Sequence, residues 1–308
     1  MYALLRACTR LALYLFFGRI RIDLRKAPPE QQVLLLAANH PNSFLDALVI
    51  ATHLPQRMSF LARGDAFRHP LANRMLRALY MTPVFRMREG RSDLRRTGAS
   101  FRSAHADLER GRSVLVFAEG VSVNAPGLRP LGKGAARIAH GAWTAGLDVA
   151  VLPVWIEYHH FRKPFAEVVL RAGLPMMPGS LATQQEARFL KNFNHTLRER
   201  LMMAAAMEKP ARSAMGKAAR ALLWAPALAG LVLHAPWYHL LRAATGRMTR
   251  GTVFFDSVLF SLLFFSYPLW LLMLAGIGRL FGLHAWAWLA CALAPMTLVA
   301  ARTWSGCR

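Results

Sequence analysis

The sequence predicts a layered α/β domain, a mostly parallel sheet flanked by helices, followed by an all-α transmembrane region. Three observations predict it. Up to residue 207, short apolar runs alternate with helix-periodic stretches. Parallel strands need crossover connections, and helices usually supply them. Residues 208–220, with Glu208, Lys209, Pro210, Lys217 and Arg220, form a polar break. Beyond it come three apolar stretches, 221–241, 253–275 and 283–300.

The elements follow in chain order. Residues 4–22 mix Arg6, Arg10, Arg19 and Arg21 with leucines, Tyr14, Phe16 and Phe17, and the apolar centre 11–17 is too short to span a bilayer. The stretch reads as an interfacial helix with arginines at the headgroups, giving a first unit at 1–24. Strands are expected at 33–39, 58–63, 82–86, 113–119, 149–157 and 166–172, and helices at 43–53, 66–80, 92–110, 131–146 and 184–207. Together they make a domain over 25–208. The membrane region, 209–308, opens with 221–241, whose Pro226, Pro236, His234 and His239 suggest a bent or re-entrant segment. The stretch 253–275 has 23 residues. As a helix it is about 34 Å long and reaches across a hydrocarbon core. The stretch 283–300 completes a second span.

Composition narrows the function. The 308 residues carry a net charge of +23, have only six lysines among 39 basic residues, are 55% hydrophobic and have a mean hydropathy of +0.25. Such a charge favours polyanions, either nucleic acid or an anionic bilayer surface. The apolar C-terminal third and the lack of a reading motif exclude nucleic acid as the partner. Cys8, Cys291 and Cys307 form no ligand or disulfide spacing, and no carboxylate or cysteine cluster marks a metal site.

The most informative segment is Asn39-His40-Pro41-Asn42-Ser43-Phe44-Leu45-Asp46, which bridges an apolar strand and a helix. His40 should lie in the turn, with Asn42 or Ser43 capping the helix and Asp46 one turn inside it. A carboxylate there can fix one tautomer of the imidazole and stabilise its protonated form, freeing the other ring nitrogen to take a proton from a hydroxyl. Further on, Val114 to Ser122 reads as a buried strand ending in Glu119, Gly120 and a hydroxyl. Glycine there frees the backbone to present N–H groups to an anion. Residues 130–137 open a helix, and 151–158 form another apolar strand.

In this order the pieces resemble the phospholipid and glycerol acyltransferase family, which includes lysophosphatidic acid acyltransferases, over roughly residues 20–177. The resemblance implies a glycerol-phosphate acyltransferase-like fold. It implies His40 as general base and Asp46 as its orienting partner, with Asn39 among the substrate-binding residues. Pro83-Val84-Phe85-Arg86 resembles the family's second block, so Arg86 would grip the acceptor phosphate. Phe117 to Ser122 resembles the third, so Glu119 and Gly120 would line the acceptor site, and Leu152-Pro153-Val154 resembles the fourth. The chain departs from the pattern in three places. Five residues separate His40 from Asp46 where four are usual, a spacing shared with a subgroup acting on glycerol 3-phosphate and dihydroxyacetone phosphate. Tyr158-His159-His160 also resembles an element of that subgroup. Ala118 replaces a proline, and no arginine follows Gly120 closely, which leaves Ser122, Arg129 or Lys133 to substitute. Gly132 stands where the subgroup has a lysine.

The expectation is thus a membrane-bound O-acyltransferase with no cofactor and no metal. Its acyl donor would be a thioester of coenzyme A or acyl-carrier protein, and its acceptor a glycerol phosphate, most simply 1-acylglycerol 3-phosphate, or another lysolipid. A non-catalytic lipid-binding scaffold is the contrasting class. Membrane lipids are the expected partners. The loop carrying Arg242, Arg247 and Arg250 belongs inside by the positive-inside tendency, so 221–241 would dip in and return, and the catalytic domain would face the cytoplasm.

Overall fold

The computed structural model describes residues 2–63, 70, 74, 81–84, 91–179, 185–209, 216–282 and 284–306. Its strands are β1 (Arg19–Asp23), β2 (Leu34–Ala38), β3 (Met58–Arg63), β4 (Met81–Val84), β5 (Ser113–Phe117), β6 (Ala150–Tyr158) and β7 (Glu167–Ala172). They form one sheet in the order β1-β7-β6-β2-β5-β3-β4. All neighbours run parallel except β6 and β7, which are antiparallel. The helices are α1 (Tyr2–Phe16), α2 (Phe44–His53), α3 (Arg91–Glu109), α4 (Gly134–Thr144), α5 (Glu186–Ala206), α6 (Lys217–Leu222), α7 (Trp224–Met248), α8 (Phe255–Leu280) and α9 (His284–Gly306).

Strand β2 shows why the sheet is sandwiched. All five of its residues are buried, as in a central parallel strand covered on both faces. Leu34, Leu36 and Ala38 pack with Leu13 of α1, Leu45 and Ile50 of α2 and Phe260 of α8. Leu35 and Ala37 face the other way, toward Leu108 of α3, Ile138 and Trp143 of α4, and Phe189 and Phe193 of α5. Side chains alternate across a strand, so one five-residue run feeds both cores. Each fully buried leucine contributes about 1.5–3 kcal/mol. Helix α5 meets its face through Phe189, Phe193, Leu197, Leu201 and Ala204, a stripe at helical spacing.

The register sets up the site. Ala38 of β2 lies opposite Phe117 of β5 and Val154 of β6. The residues just past the ends of β2 and β5 therefore emerge together, beside β6, which continues to Tyr158.

The N-terminus departs from expectation. The helix stops at Phe16, and residues 19–23 form an edge strand parallel to β7 in place of a helix running to Ile22. Gly18 makes the turn possible. A Cβ there would collide with the Phe165 carbonyl oxygen, and the Gly18 N–H donates to the Ala166 carbonyl at 3.1 Å. Arg21 then pairs with Glu167 on β7. Helix α1 buries Leu13 against the sheet while Leu4, Leu5 and Leu11 remain exposed.

The re-entrant form of the 221–241 expectation is not adopted: Trp224–Met248 is one continuous 25-residue helix. Pro226 sits in its first turn, where a missing N–H removes no helical bond. Pro236 lies inside the helix, but packing holds the chain helical through it. Gly230 lets α7 press onto α9, since a Cβ there would run into the Thr297 carbonyl. His234, which suggested a turn, is buried, with Nδ1 bonded to the Gly230 carbonyl at 2.8 Å and Nε2 to the Tyr267 hydroxyl of α8 at 3.3 Å. Among the described residues, α8 is long and apolar enough to cross a membrane. Its first residues are buried, whereas Phe265, Leu269, Leu272 and Leu280 are exposed. The helix expected at 66–80 lies almost wholly outside the described residues.

Candidate active site

Three strand ends and one helix start build the site. Leaving β2, Asn39 is pinned to β6: its Nδ2 donates to the Ile156 carbonyl at 2.9 Å and its Oδ1 accepts the Ile156 N–H at 2.8 Å. That use of both ends of the amide directs the chain and leaves Asn39 a positioning role. His40 follows, its ring stacked on Phe117 with centroids 3.7 Å apart. Its Nδ1 lies 2.8 Å from Asp46 Oδ2. An ionised carboxylate only accepts, so Nδ1 carries the proton of that bond. The His40 side chain is 17% exposed and Asp46 is fully buried. With Nδ1 engaged and one face covered, Nε2 is the ring nitrogen left to meet a substrate.

Asp46 sits in the first turn of α2, where the helix dipole favours an anion. It reaches back to accept the Asn42 N–H at 2.8 Å. This back-bond replaces the serine or asparagine cap expected from sequence, because Ser43, at the cap position, makes no side-chain capping bond. Burial pushes the Asp46 carboxyl above its ordinary value, opposed by the hydrogen bond from His40 and its charge, by the Asn42 N–H and by Tyr158. Tyr158, at the end of β6, is held well above the usual phenol range by burial and then by the Asp46 charge.

The segment after β5 clamps this turn. Glu119 accepts the His40 N–H at 3.0 Å, and Ser122 Oγ accepts the Ser43 N–H at 2.8 Å. The Val123 N–H donates to the His40 carbonyl at 3.2 Å, and Asn124 Nδ2 donates to the Pro41 carbonyl at 3.2 Å. Gly120, at φ 66°, makes the reversal that brings Glu119 and Ser122 to bear, a dihedral that L side chains adopt only at a cost of about 1–2 kcal/mol. In this geometry Glu119 and Ser122 hold the histidine loop. The result is a fixed imidazole–carboxylate pair, open on one edge, able to take a proton from an approaching hydroxyl.

Residues 19–157 match the protein-family model described as Acyltransferase. That segment is an acyltransferase domain. It runs from the first residue of β1 to one residue short of the end of β6, and it includes the whole histidine loop and its clamp. The protein is accordingly an enzyme of the acyl-transfer class. Among solved structures, the 1-acyl-sn-glycerophosphate (LPA) acyltransferase PlsC from Thermotoga maritima is similar, at 20% identity and a TM-score of 0.44, covering 65% of this chain and 81% of its own. No curated protein matches the chain by sequence.

Within the acyltransferase domain, His40, Asp46, Asn39, Glu119, Gly120 and Ser122 come together as above. Lys133 stands at the start of α4 and lines a separate cleft with Glu186, Leu190, Lys191 and Asn194. Arg86 lies outside the described residues. Among the described residues no group of three or more histidine, cysteine or acidic side chains could hold a metal ion. Sequence reasoning gave no part to Phe117 as the ring beneath His40, nor to Asn124. It read Asn42 only as a cap, although its N–H instead orients Asp46. The apolar-aromatic strand end before Glu119 was the available signal for Phe117. For Asn42 there was none.

Proposed function

We propose that this acyltransferase moves a fatty acyl group from a coenzyme A or acyl-carrier-protein thioester to a hydroxyl of a glycerol-phosphate acceptor, 1-acylglycerol 3-phosphate before glycerol 3-phosphate, dihydroxyacetone phosphate or another lysolipid. The observation that carries this reading is the His40 Nδ1 to Asp46 Oδ2 contact of 2.8 Å at the carboxyl end of the central strand. His40 Nε2 takes the proton of the acceptor hydroxyl as its oxygen attacks the thioester carbonyl carbon. The tetrahedral intermediate collapses with cleavage of the C–S bond, and the proton on His40 passes to the departing thiolate. Asp46 holds the ring and stabilises the imidazolium between these steps. The hydroxyl attacks directly, so no acyl-enzyme forms, and Cys8, the cysteine whose surroundings the structure describes, is exposed on α1.

We place the protein in a membrane with its catalytic domain on the cytoplasmic side. The exposed apolar residues of α8, together with Trp224, Leu228, Val232 and Leu240 on α7, support the membrane placement, because large exposed apolar surfaces are uncommon on a soluble monomer. Arg302 near the end of α9 donates to the Phe17 carbonyl at 3.1 Å and lies over the Tyr14 ring. That end of α9 is therefore beside the catalytic domain. The test is purified protein in detergent or lipid, given labelled acyl thioesters and a panel of phosphorylated and unphosphorylated glycerol and lysolipid acceptors. Transfer to a glycerol-phosphate acceptor is expected, and no transfer to any of the panel would refute the proposal.

A further inference from the structure

Asn42 joins two buried carboxylates. Its backbone N–H donates to Asp46 Oδ2 at 2.8 Å, and its side-chain Nδ2 donates to Asp256 Oδ2 at 3.1 Å. Asp256 is the second residue of α8, 5% exposed and 214 residues further along the chain. It also accepts the Arg162 N–H, with Oδ1 at 3.0 Å and Oδ2 at 3.2 Å. Its neighbour Ser257 accepts the Leu45 N–H through Oγ at 3.3 Å and donates to the Asn42 carbonyl at 3.3 Å. The first turn of α8 thus grips the short segment that carries Asp46 to His40.

Adhesion alone does not explain a carboxylate here. Phe260, which is buried in the domain core, already anchors α8 there. Burying an anion is costly, and a well-packed apolar residue commonly serves cohesion better. The donors on Asp256 are amides. The guanidinium groups of Arg162 and Arg242 donate to the Thr252 and Arg162 carbonyls and both lie over the Phe255 ring, so they act on Asp256 as nearby charges and not as hydrogen-bond donors. What the carboxylate adds is direction, since it fixes where the Asn42 amide points and thereby where the Asn42 N–H meets Asp46.

We propose that Asp256 is a positioning residue for the His40–Asp46 pair, acting through Asn42, so that catalysis requires α8 to be seated on the domain. This rests on the acyl-transfer reading above, and it makes the C-terminal helices part of the catalytic apparatus as well as an anchor. The experiment is a double-mutant cycle of Asp256→Ala and Asn42→Ala on the full-length protein, read two ways. In steady-state kinetics each single change should lower kcat about 10- to 100-fold, as small misplacements of reacting groups do, with KM for the acyl donor little changed. The double variant should fall no more than about twofold below the worse single, because the two share one path. Independently of activity, the rate at which diethyl pyrocarbonate modifies His40, followed by peptide mass, should rise about fivefold in Asp256→Ala as the ring loosens from Asp46. If Asp256→Ala does not fold, Asp256→Asn, which keeps one acceptor oxygen, carries the same cycle and criteria. Multiplicative losses of kcat, or unchanged His40 reactivity in a folded variant, would overturn the proposal. A wild-type protein that transfers no acyl group refutes the function instead, and the His40 reactivity still decides the role of Asp256.

Discussion

Replacing Asp46 with asparagine separates what the carboxylate does for chemistry from what it costs the fold. In the native site Oδ2 accepts from both His40 Nδ1 and the Asn42 N–H, each at 2.8 Å. An amide has one acceptor oxygen and no charge, so the imidazolium formed during transfer loses its counter-charge. Hydrogen bonds to charged groups contribute about 1.5–3 kcal/mol. At about 1.4 kcal/mol per tenfold, kcat should therefore fall about 10- to 150-fold, leaving measurable activity. Stability should move the opposite way. Burial raises the Asp46 carboxyl above its ordinary value, so the native state holds that proton more tightly than the unfolded chain does. The stability from Asp46 is then fully present below the ordinary carboxylate value and is lost as pH rises through the raised native value. The uncharged amide of the variant carries no such loss. The melting temperature of Asp46→Asn relative to wild type should increase from about pH 4 upward, levelling off once the native carboxylate has ionised. The assay is labelled acyl transfer beside thermal melting at several pH values. Wild-type kcat in the variant, or a relative stability that falls with pH, would refute this account of Asp46.

Three further outcomes are expected. Ser43 holds φ 53° and ψ −132° without a side-chain cap, a strain of about 1–3 kcal/mol that glycine relieves at an entropic cost of about 0.5–1 kcal/mol. Ser43→Gly should therefore melt higher and keep its turnover, since the N–H that Ser122 accepts remains. Gly18→Ala should lower stability by about 1–3 kcal/mol in denaturant titration, because its methyl group collides with the Phe165 carbonyl and forces the α1–β1 turn apart. Full-length protein should resist extraction from membranes by about 1 M salt, where the Debye length is only about 3 Å, and should need detergent; clean release by salt would remove α8 from the bilayer.

The sheet was legible because its inner strands are short apolar runs separated by helix-periodic stretches, and β2 through β7 fall within a few residues of expectation. Strand β1 was not. Its Arg-Ile-Arg-Ile-Asp alternation is only five residues long, and it follows closely on a helix that likewise mixes arginines with aliphatic residues. What makes it a strand is β7, about 150 residues away in sequence, together with the approach that Gly18 allows. The continuity of α7 was hidden for a similar reason, since its prolines and histidines read as a bent or re-entrant segment, whereas packing against α8 and α9 keeps the chain helical. At the site, the His40–Asp46 pairing is local and could be read from spacing. The working parts of Asn39, Glu119 and Ser122 depend on partners 117, 79 and 79 residues away. A family resemblance places such residues near substrate, and their hydrogen bonds add that they hold the histidine loop. The part played by Asp256 was not legible, because no pattern in the sequence connects it to Asn42, 214 residues away.

The central claim is that His40 takes the proton of the acceptor hydroxyl, and its most direct test is acyl transfer from a labelled thioester to 1-acylglycerol 3-phosphate by wild type and His40→Ala. Melting and detergent partition of both proteins establish that the variant is folded and inserted. General-base catalysis contributes about 10²- to 10⁴-fold, so His40→Ala should lose at least about 100-fold in kcat with its fold intact. A folded His40→Ala protein that turns over near the wild-type rate would contradict the account.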